Sequence, residues 1–154
     1  MKTESGRSMI EMLGVLAIMG VITVGAIAMI STAMRTQKHS TANDQVTQIV
    51  LGVRQLLGEY DDFSNIDNSI IFGAMGMSNK NPYGGAYTVS VNPANVRQFI
   101  VRIDGLTQSD CEYLAAKAWP DSVGYIVSNH AEGGATGNCK NGGTANSVSI
   151  TFGD

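Results

Sequence analysis

The sequence is poor in charge, and it contains few cysteines and histidines. Only 15% of its 154 residues are charged, where about a quarter is usual. Lys and Arg together number 10 against 13 Asp and Glu, so the net charge is -3. Nucleic-acid-binding proteins usually carry an excess of Lys and Arg, so no specific nucleic acid partner is predicted. The 2 Cys and 2 His cannot supply a four-ligand zinc cluster without carboxylates or further subunits.

The residues that could support catalysis or ion binding do not form a recognisable pattern. His39 lies in a polar helical stretch and His130 in a polar loop, and neither has a Ser or Cys nucleophile at a suitable spacing. Asp61 and Asp62 could begin a calcium loop, but no alternating oxygen ligands follow them. We therefore expect the histidines and this acidic pair to be solvated surface. The chain is predicted not to be an enzyme and to need no metal or cofactor.

Hydrophobicity is concentrated in one segment near the N-terminus. Apolar residues make up 44% of the chain, and no residue between Glu11 and Arg35 is charged. As a helix rising about 1.5 Å per residue, Met12–Met34 is long enough to cross a bilayer core of about 30 Å. The few hydroxyl side chains in it can bond back to the helix backbone; they are Thr23, Ser31 and Thr32. The sequence thus predicts one helix of transmembrane length.

Two general interpretations of this segment leave one residue unexplained. An ordinary secretory signal is suggested by Ala26-Ile-Ala28, and cleavage there would leave Met29 as the first residue. The uncharged stretch is longer than the usual apolar region of about 7–15 residues, however. The alternative is a plain anchor that carries a single-pass, membrane-anchored periplasmic binding domain. Neither accounts for Glu11, since an acid at the edge of an apolar span is costly and usually marks a pairing function.

The segment Gly6-Arg-Ser-Met-Ile-Glu-Met-Leu-Gly-Val-Leu-Ala-Ile-Met-Gly-Val-Ile22 resembles the class III signal sequence of the type IV pilin family. The resemblance implies that residues 1–6 are a leader and that a prepilin peptidase cuts between Gly6 and Arg7. Arg7 would then be the methylated first residue, and Glu11 would be the fifth. Arg7 stands where the family usually has Phe, Met or Leu.

The resemblance also implies how the subunit assembles. The amine of an incoming subunit pairs with Glu11 of a subunit already in the filament, and in an apolar environment an unpaired charge is costly. Segment 7–34 would first hold the precursor in the bacterial inner membrane and then form the core of an extracellular filament at the cell surface. Helices pack closely in such surroundings at small residues, which here are Gly14, Ala17, Gly20, Gly25, Ala26 and Ala28. The implied partners are further copies of the subunit, the peptidase, the inner membrane and the pilus assembly machinery.

The remaining residues, 35–154, predict a globular domain of the α+β class. Residues 35–60 continue the helix with an apolar stripe at three- and four-residue steps, formed by Val46, Ile49, Val50, Val53, Leu56, Leu57 and Tyr60. Turn-forming residues predict loops from 61 to 85. Strands are predicted at 86–91, 98–103, 124–127 and 147–152, and a helix capped by Thr107 is predicted to reach about Trp119. One long helix should pack on an antiparallel sheet.

Cys111 and Cys139 are predicted to form a disulfide bond. A periplasmic or extracellular location is oxidising, and two cysteines make a bond the default there. In pilins a C-terminal disulfide encloses an exposed region. The segments Gly105–Cys111 and Ser147–Asp154 resemble the corresponding parts of type IVb pilins.

The leading interpretation is a structural pilin subunit that supports adhesion, aggregation, motility or DNA transfer. A type II secretion pseudopilin or a minor pilin is the alternative within the family. The disulfide favours a pilus subunit over the major pseudopilin, which usually lacks one. The alternative from another class is the anchored binding domain described above.

Overall fold

Helix α1 runs from Glu4 to Leu57 and is the longest element of the chain. The computed structural model describes residues 4–58, 62–129, 134–135 and 138–153. The chain divides into two compact units, Met1–Lys38 and His39–Asp154, and α1 contributes residues to both. The first unit contains the apolar part of the helix, and the second contains the head domain with every other element.

Within the head domain, α1 presents the predicted apolar stripe to the core. Val46, Ile49, Val50 and Val53 are all buried, so the prediction is confirmed over these two turns. The stripe weakens near the end of the helix, where Leu56 is 39% exposed. Tyr60 lies outside the described residues.

The head domain places two short helices around an antiparallel sheet. In chain order its remaining elements are α2 (Asn68–Met75), β1 (Tyr87–Asn92), β2 (Asn95–Leu106), α3 (Gln108–Ala116), β3 (Ser122–Asn129), β4 (Gly134–Ala135) and β5 (Asn146–Gly153). The spatial order of the strands is β1-β2-β5-β3-β4, and all neighbouring pairs are antiparallel. The four predicted strands correspond to β1, β2, β3 and β5. The α+β class predicted from the sequence is therefore confirmed.

One face of the sheet forms the core. Along β2 the alternate residues Phe99, Val101 and Ile103 are fully buried, whereas those between them are only partly so. The register places Val101 opposite Ile150 of β5, and both side chains point to the same face. The buried residues of α1 and the sheet belong to one hydrophobic cluster, which also includes Trp119 from the turn after α3.

The beginning of α3 is predicted correctly. The Thr107 hydroxyl accepts a hydrogen bond from the backbone N–H of Asp110, so Thr107 is the N-cap. The helix ends at Ala116, earlier than the predicted Trp119. The indole N–H of Trp119 instead donates to the carbonyl of Leu114 at 3.0 Å, which turns the chain back against the end of the helix.

The prediction of an uninterrupted loop from 61 to 85 is wrong, because α2 lies within it. The side chain of Asp67 accepts a hydrogen bond from the N–H of Ser69 at 2.8 Å and caps the first turn. Gly76 ends the helix in the left-handed region, at φ 62°. Ile71 and Phe72 are buried, which gives the short helix its packing energy. The residues that suggested turns are the two caps of this helix.

Candidate functional site

The apolar part of α1 is exposed along its whole length. Each residue from Ser8 to Met34 is exposed, and the most apolar window of the helix has a mean hydropathy of 2.5. By length and composition this helix could cross a membrane. Its hydroxyls are satisfied within the helix: Thr23 donates to the Met19 carbonyl at 2.7 Å, and Thr32 donates to the Ala28 carbonyl at 3.1 Å. The segment thus presents an apolar surface whose hydroxyl groups need no external partner.

Glu11 lies at the N-terminal end of this surface. The helix backbone is continuous through Gly6, Arg7 and Glu11. On either side of Glu11, Ile10 and Met12 are exposed, so the carboxylate projects from an apolar segment. Arg7 and Glu11 are four residues apart, which is a spacing that brings residues to the same helical face. The roles of these residues in processing and assembly remain predictions.

The second part of the candidate site is the disulfide-bounded region of the head. Cys111 in α3 and Cys139 ahead of β5 are bonded, with their Cα atoms 5.9 Å apart, so the predicted disulfide is confirmed. Cys111 is fully buried and belongs to the main core. The bond therefore attaches the chain ahead of β5 to the interior of the domain.

A residue that the sequence analysis missed, Asn146, supports the same region. Its side-chain amide is buried, donates to the carbonyl of Lys140 at 2.8 Å and accepts from the N–H of Lys140 at 2.9 Å. It also donates to the carbonyl of Leu106 at 3.4 Å. Asn146 therefore joins the residue after Cys139 to the end of β2. A lone Asn before a strand has no sequence signal for this role.

The prediction that His39 is solvated surface is wrong. Its ring stacks on Tyr113 with the centroids 3.8 Å apart, and Nδ1 lies 2.9 Å from the hydroxyl oxygen of Tyr83. Nε2 is 3.8 Å from a carboxylate oxygen of Asp110, and the His39 side chain is only 12% exposed. Two aromatic neighbours from distant parts of the sequence cover it, which no local pattern could indicate. His130 lies outside the described residues.

A second buried amide holds the loop between α2 and β1. The Asn81 side chain accepts from the N–H groups of Tyr83 and Gly85, each at 3.0 Å, and donates to the carbonyl of Asp104 at 2.6 Å. Gly85 passes so close to β2 that a Cβ atom would collide with the carbonyl oxygen of Asp104. The loop is thereby attached to the sheet. Among the described residues, no group of three or more His, Cys, Asp and Glu side chains could hold a metal ion.

The long N-terminal helix, the antiparallel sheet and the C-terminal disulfide together define the α+β type IV pilin fold. No protein-family model matches the chain. The chain is similar to the toxin coregulated pilin of Vibrio cholerae, with 26% identity over 126 residues that cover 72% of this chain and 56% of that protein. The toxin coregulated pilin of Vibrio cholerae serotype O1 is 25% identical over the same coverage.

The chain therefore spans about half the length of the curated relatives that it matches, 56% in both cases. The matches support a type IVb pilin-like relationship, which confirms the resemblance found in the sequence.

Proposed function

We propose that this chain is a structural subunit of an extracellular type IV pilus. The observation that carries the proposal is the exposed, uncharged helix surface from Met12 to Met34, attached to a head domain of the pilin fold. Burying a single Leu, Ile or Met side chain is worth about 1.5–3 kcal/mol, so this surface strongly favours lipid or neighbouring helices over water. A filament core provides such neighbours after the membrane has held the precursor. The similarity to a pilin supports this structural role over a catalytic one.

The proposed precursor is cut between Gly6 and Arg7 by a prepilin peptidase, and Arg7 is then methylated. Residues 7–34 anchor the subunit in the inner membrane and later form the core of the filament, and residues 35–154 form the head domain. The pilus assembly machinery moves the subunit from the membrane to the fibre. The spacing of Gly6, Arg7 and Glu11 in one helical segment supports this order of events.

The N-terminus of the mature protein tests the processing step. Mass spectrometry of the chain from its native host should give a mass that begins at methylated Arg7. A protein that begins at Met29 would indicate ordinary secretion and would contradict the proposal. Immunogold electron microscopy of sheared surface fibres then tests the subunit role, since label along the whole fibre is expected of a pilus subunit. An uncut, membrane-bound chain without fibres would instead support an anchored binding domain.

In assembly, Glu11 is proposed to pair with the N-terminal amine of a neighbouring subunit. Removal of the carboxylate in Glu11→Ala leaves that amine unpaired in an apolar environment, which is strongly destabilising. We expect cleavage to continue and fibre yield to fall at least roughly tenfold, because about 1.4 kcal/mol per contact corresponds to a factor of ten. Quantitative immunoblotting of sheared fibres against cell-bound subunit measures both effects.

The matched control for this experiment is Met12→Ala, which alters the adjacent exposed residue and keeps the carboxylate. Its fibre yield should stay near that of the unaltered chain. The isosteric change Glu11→Gln should behave like Glu11→Ala if charge is the important property. Normal fibre yield in both Glu11 variants would contradict the pairing role.

A further inference from the structure

The two edges of the sheet differ in how their backbone groups are satisfied. At the β1 edge, the Asn68 side chain donates to the Val89 carbonyl at 2.9 Å and accepts from the Val89 N–H at 2.7 Å. The N–H of Tyr87 donates to the carbonyl of Asn79 at 2.6 Å. Polar groups outside the sheet thus occupy this edge, which is one way in which proteins prevent an edge from pairing with another chain.

The opposite edge is formed by β3, and most of it has no such cover among the described residues. Strand β4 pairs only with Ser128 and Asn129. The preceding segment is exposed, with Val123 at 55%, Tyr125 at 54% and Ile126 at 49%. The strand Ser122–Asn129 contains no charged residue and no proline, and aromatic and β-branched residues favour extended pairing. Apart from a bulge at Val123, this edge lacks the features that discourage association.

We propose that this edge of β3 pairs antiparallel with the same edge of a second copy of the chain. In a pairing about a two-fold axis, residues that lie opposite each other must point to the same face of the continuous sheet. Tyr125 pairs with Ile150 and faces the core side, whereas Ile126 pairs with Ser149 and faces the outer side. The axis must therefore pass at Tyr125 or at Ile126.

The position of β4 decides between these two registers. An axis at Ile126 would place Gly124 of one copy against Ser128 of the other, and β4 already pairs with Ser128. An axis at Tyr125 places Tyr125 opposite the partner's Tyr125, and Gly124 opposite the partner's Ile126. Neither segment carries charge, so the two copies do not repel each other along the strand. The free edge is thus complementary to itself in one register.

A groove beside the strand accommodates the added residues. Tyr125 and Val127 border an open groove of about 430 Å³, whose other side is formed by Ala115 and Ala116 of α3. These small side chains leave room for an aromatic ring on the core side of the edge. Pairing would give β3 a continuous ladder and would cover the exposed apolar side chains. This association does not depend on the proposed pilus function.

Disulfide trapping of the full-length chain in mild detergent tests the register. In Tyr125→Cys the two added thiols lie directly opposite, with Cα atoms about 4.5–5.5 Å apart, which allows a disulfide bond. In Ile126→Cys the thiols are diagonal and about 7–8 Å apart, at or beyond the usual limit. Thr88→Cys, exposed on the covered β1 edge, is the matched control. After mild oxidation, Tyr125→Cys should give at least roughly tenfold more covalent dimer than either control.

A charge at the edge provides the opposing variant. Addition of Ile126→Lys to Tyr125→Cys should reduce the dimer to the level of Thr88→Cys, because a charge at an edge strand disfavours pairing. Equal trapping of Tyr125→Cys and Thr88→Cys would overturn the proposal, as would trapping that survives Ile126→Lys. Light-induced dityrosine cross-linking of the unaltered chain, with Tyr125→Phe as the control, gives a second readout that needs no added cysteine. Loss of the cross-link in Tyr125→Phe is expected, and an unchanged yield would overturn the pairing.

Discussion

Three asparagine side chains satisfy backbone groups that the regular elements leave unpaired. Asn68 bonds to the edge of β1, Asn81 holds the loop ahead of β1, and Asn146 joins Lys140 to the end of β2. Each combines a donor and an acceptor in one planar group, so each can replace the partner that a strand would supply. Their contribution is invisible in the sequence because Asn is equally common in solvated turns.

Asn146 should be the most sensitive of these residues to truncation. Asn146→Ala removes the partners of the Lys140 N–H and carbonyl in a buried position, and an unsatisfied buried polar group costs about 1–3 kcal/mol. Urea unfolding of the full chain in detergent, followed by Trp119 fluorescence, should show a loss of this size. The control Ser90→Ala, at an exposed position, should change stability by less than about 0.5 kcal/mol. An equal loss in both variants would contradict the role assigned to Asn146.

Tyr87 should make the domain sensitive to alkali. Burial raises the pKa of Tyr87 well above its ordinary value, and its hydroxyl donates to the side chain of Gln45 at 2.9 Å. Burial, with the nearby charge of Asp110, raises the pKa of Tyr83 in the same direction. A raised acid pKa in the folded state means that the stabilisation is complete below the unfolded value of about 10 and is lost as the pH rises further.

The corresponding experiment compares urea midpoints at pH 8 and pH 11 for the unaltered chain and for Tyr87→Phe. The unaltered chain should lose stability between these values. Tyr87→Phe should lose less over the same interval, although at pH 8 it should be about 0.5–1.5 kcal/mol weaker for want of the Gln45 hydrogen bond. Parallel losses in the two proteins would show that Tyr87 does not contribute to the alkaline transition.

At the scale of elements, the sequence was most informative where hydrophobic periodicity was long. The stripe of α1 and the alternation in β2 predicted both elements and their buried faces, because burial imposes a fixed period on each. Helix α2 was missed because it has only 8 residues, too few for its period to stand out, and its caps are Asp67 and Gly76. Turn-forming residues also cap helices, so the same residue types are compatible with either structure.

Helix α2 also matters for the sheet, since its first residue covers the β1 edge. Asn68→Ala exposes the Val89 N–H and carbonyl to solvent, and we expect amide exchange at Val89 to accelerate about fivefold for each kcal/mol lost. Asn68→Asp should also weaken the edge, because a carboxylate oxygen then faces the Val89 carbonyl. Hydrogen exchange followed by mass spectrometry of the β1 peptide measures the change.

The matched control for Asn68 is Ile70→Ala, on the same helix and 65% exposed. It removes side-chain atoms from α2 without touching Val89, so exchange in β1 should stay close to normal. Equal acceleration in Ile70→Ala would mean that general weakening of α2, rather than the loss of the edge contact, is responsible.

At the scale of the whole molecule, the sequence predicted the division of labour better than the local detail. An uncharged segment next to a polar remainder can be recognised without any tertiary contact, and so can a pair of cysteines in an oxidising compartment. The environment of His39 could not be predicted, because Tyr83 and Tyr113 reach it from distant parts of the chain. The covered and open edges of the sheet were hidden for the same reason.

The disulfide and Asn146 should act on the same segment of the head, and their effects should therefore be coupled. Cys111→Ala with Cys139→Ala should destabilise the chain by about 2–5 kcal/mol, chiefly by releasing a constraint on the unfolded state. Without the bond, the chain at Lys140 can move away from β2, so less remains for Asn146 to hold. The combined loss should fall short of the sum of the separate losses by about 0.5–3 kcal/mol, as is typical of neighbouring groups that share a network. Urea unfolding of the four proteins in this cycle measures the coupling, and strictly additive losses would show that the two features stabilise the head independently.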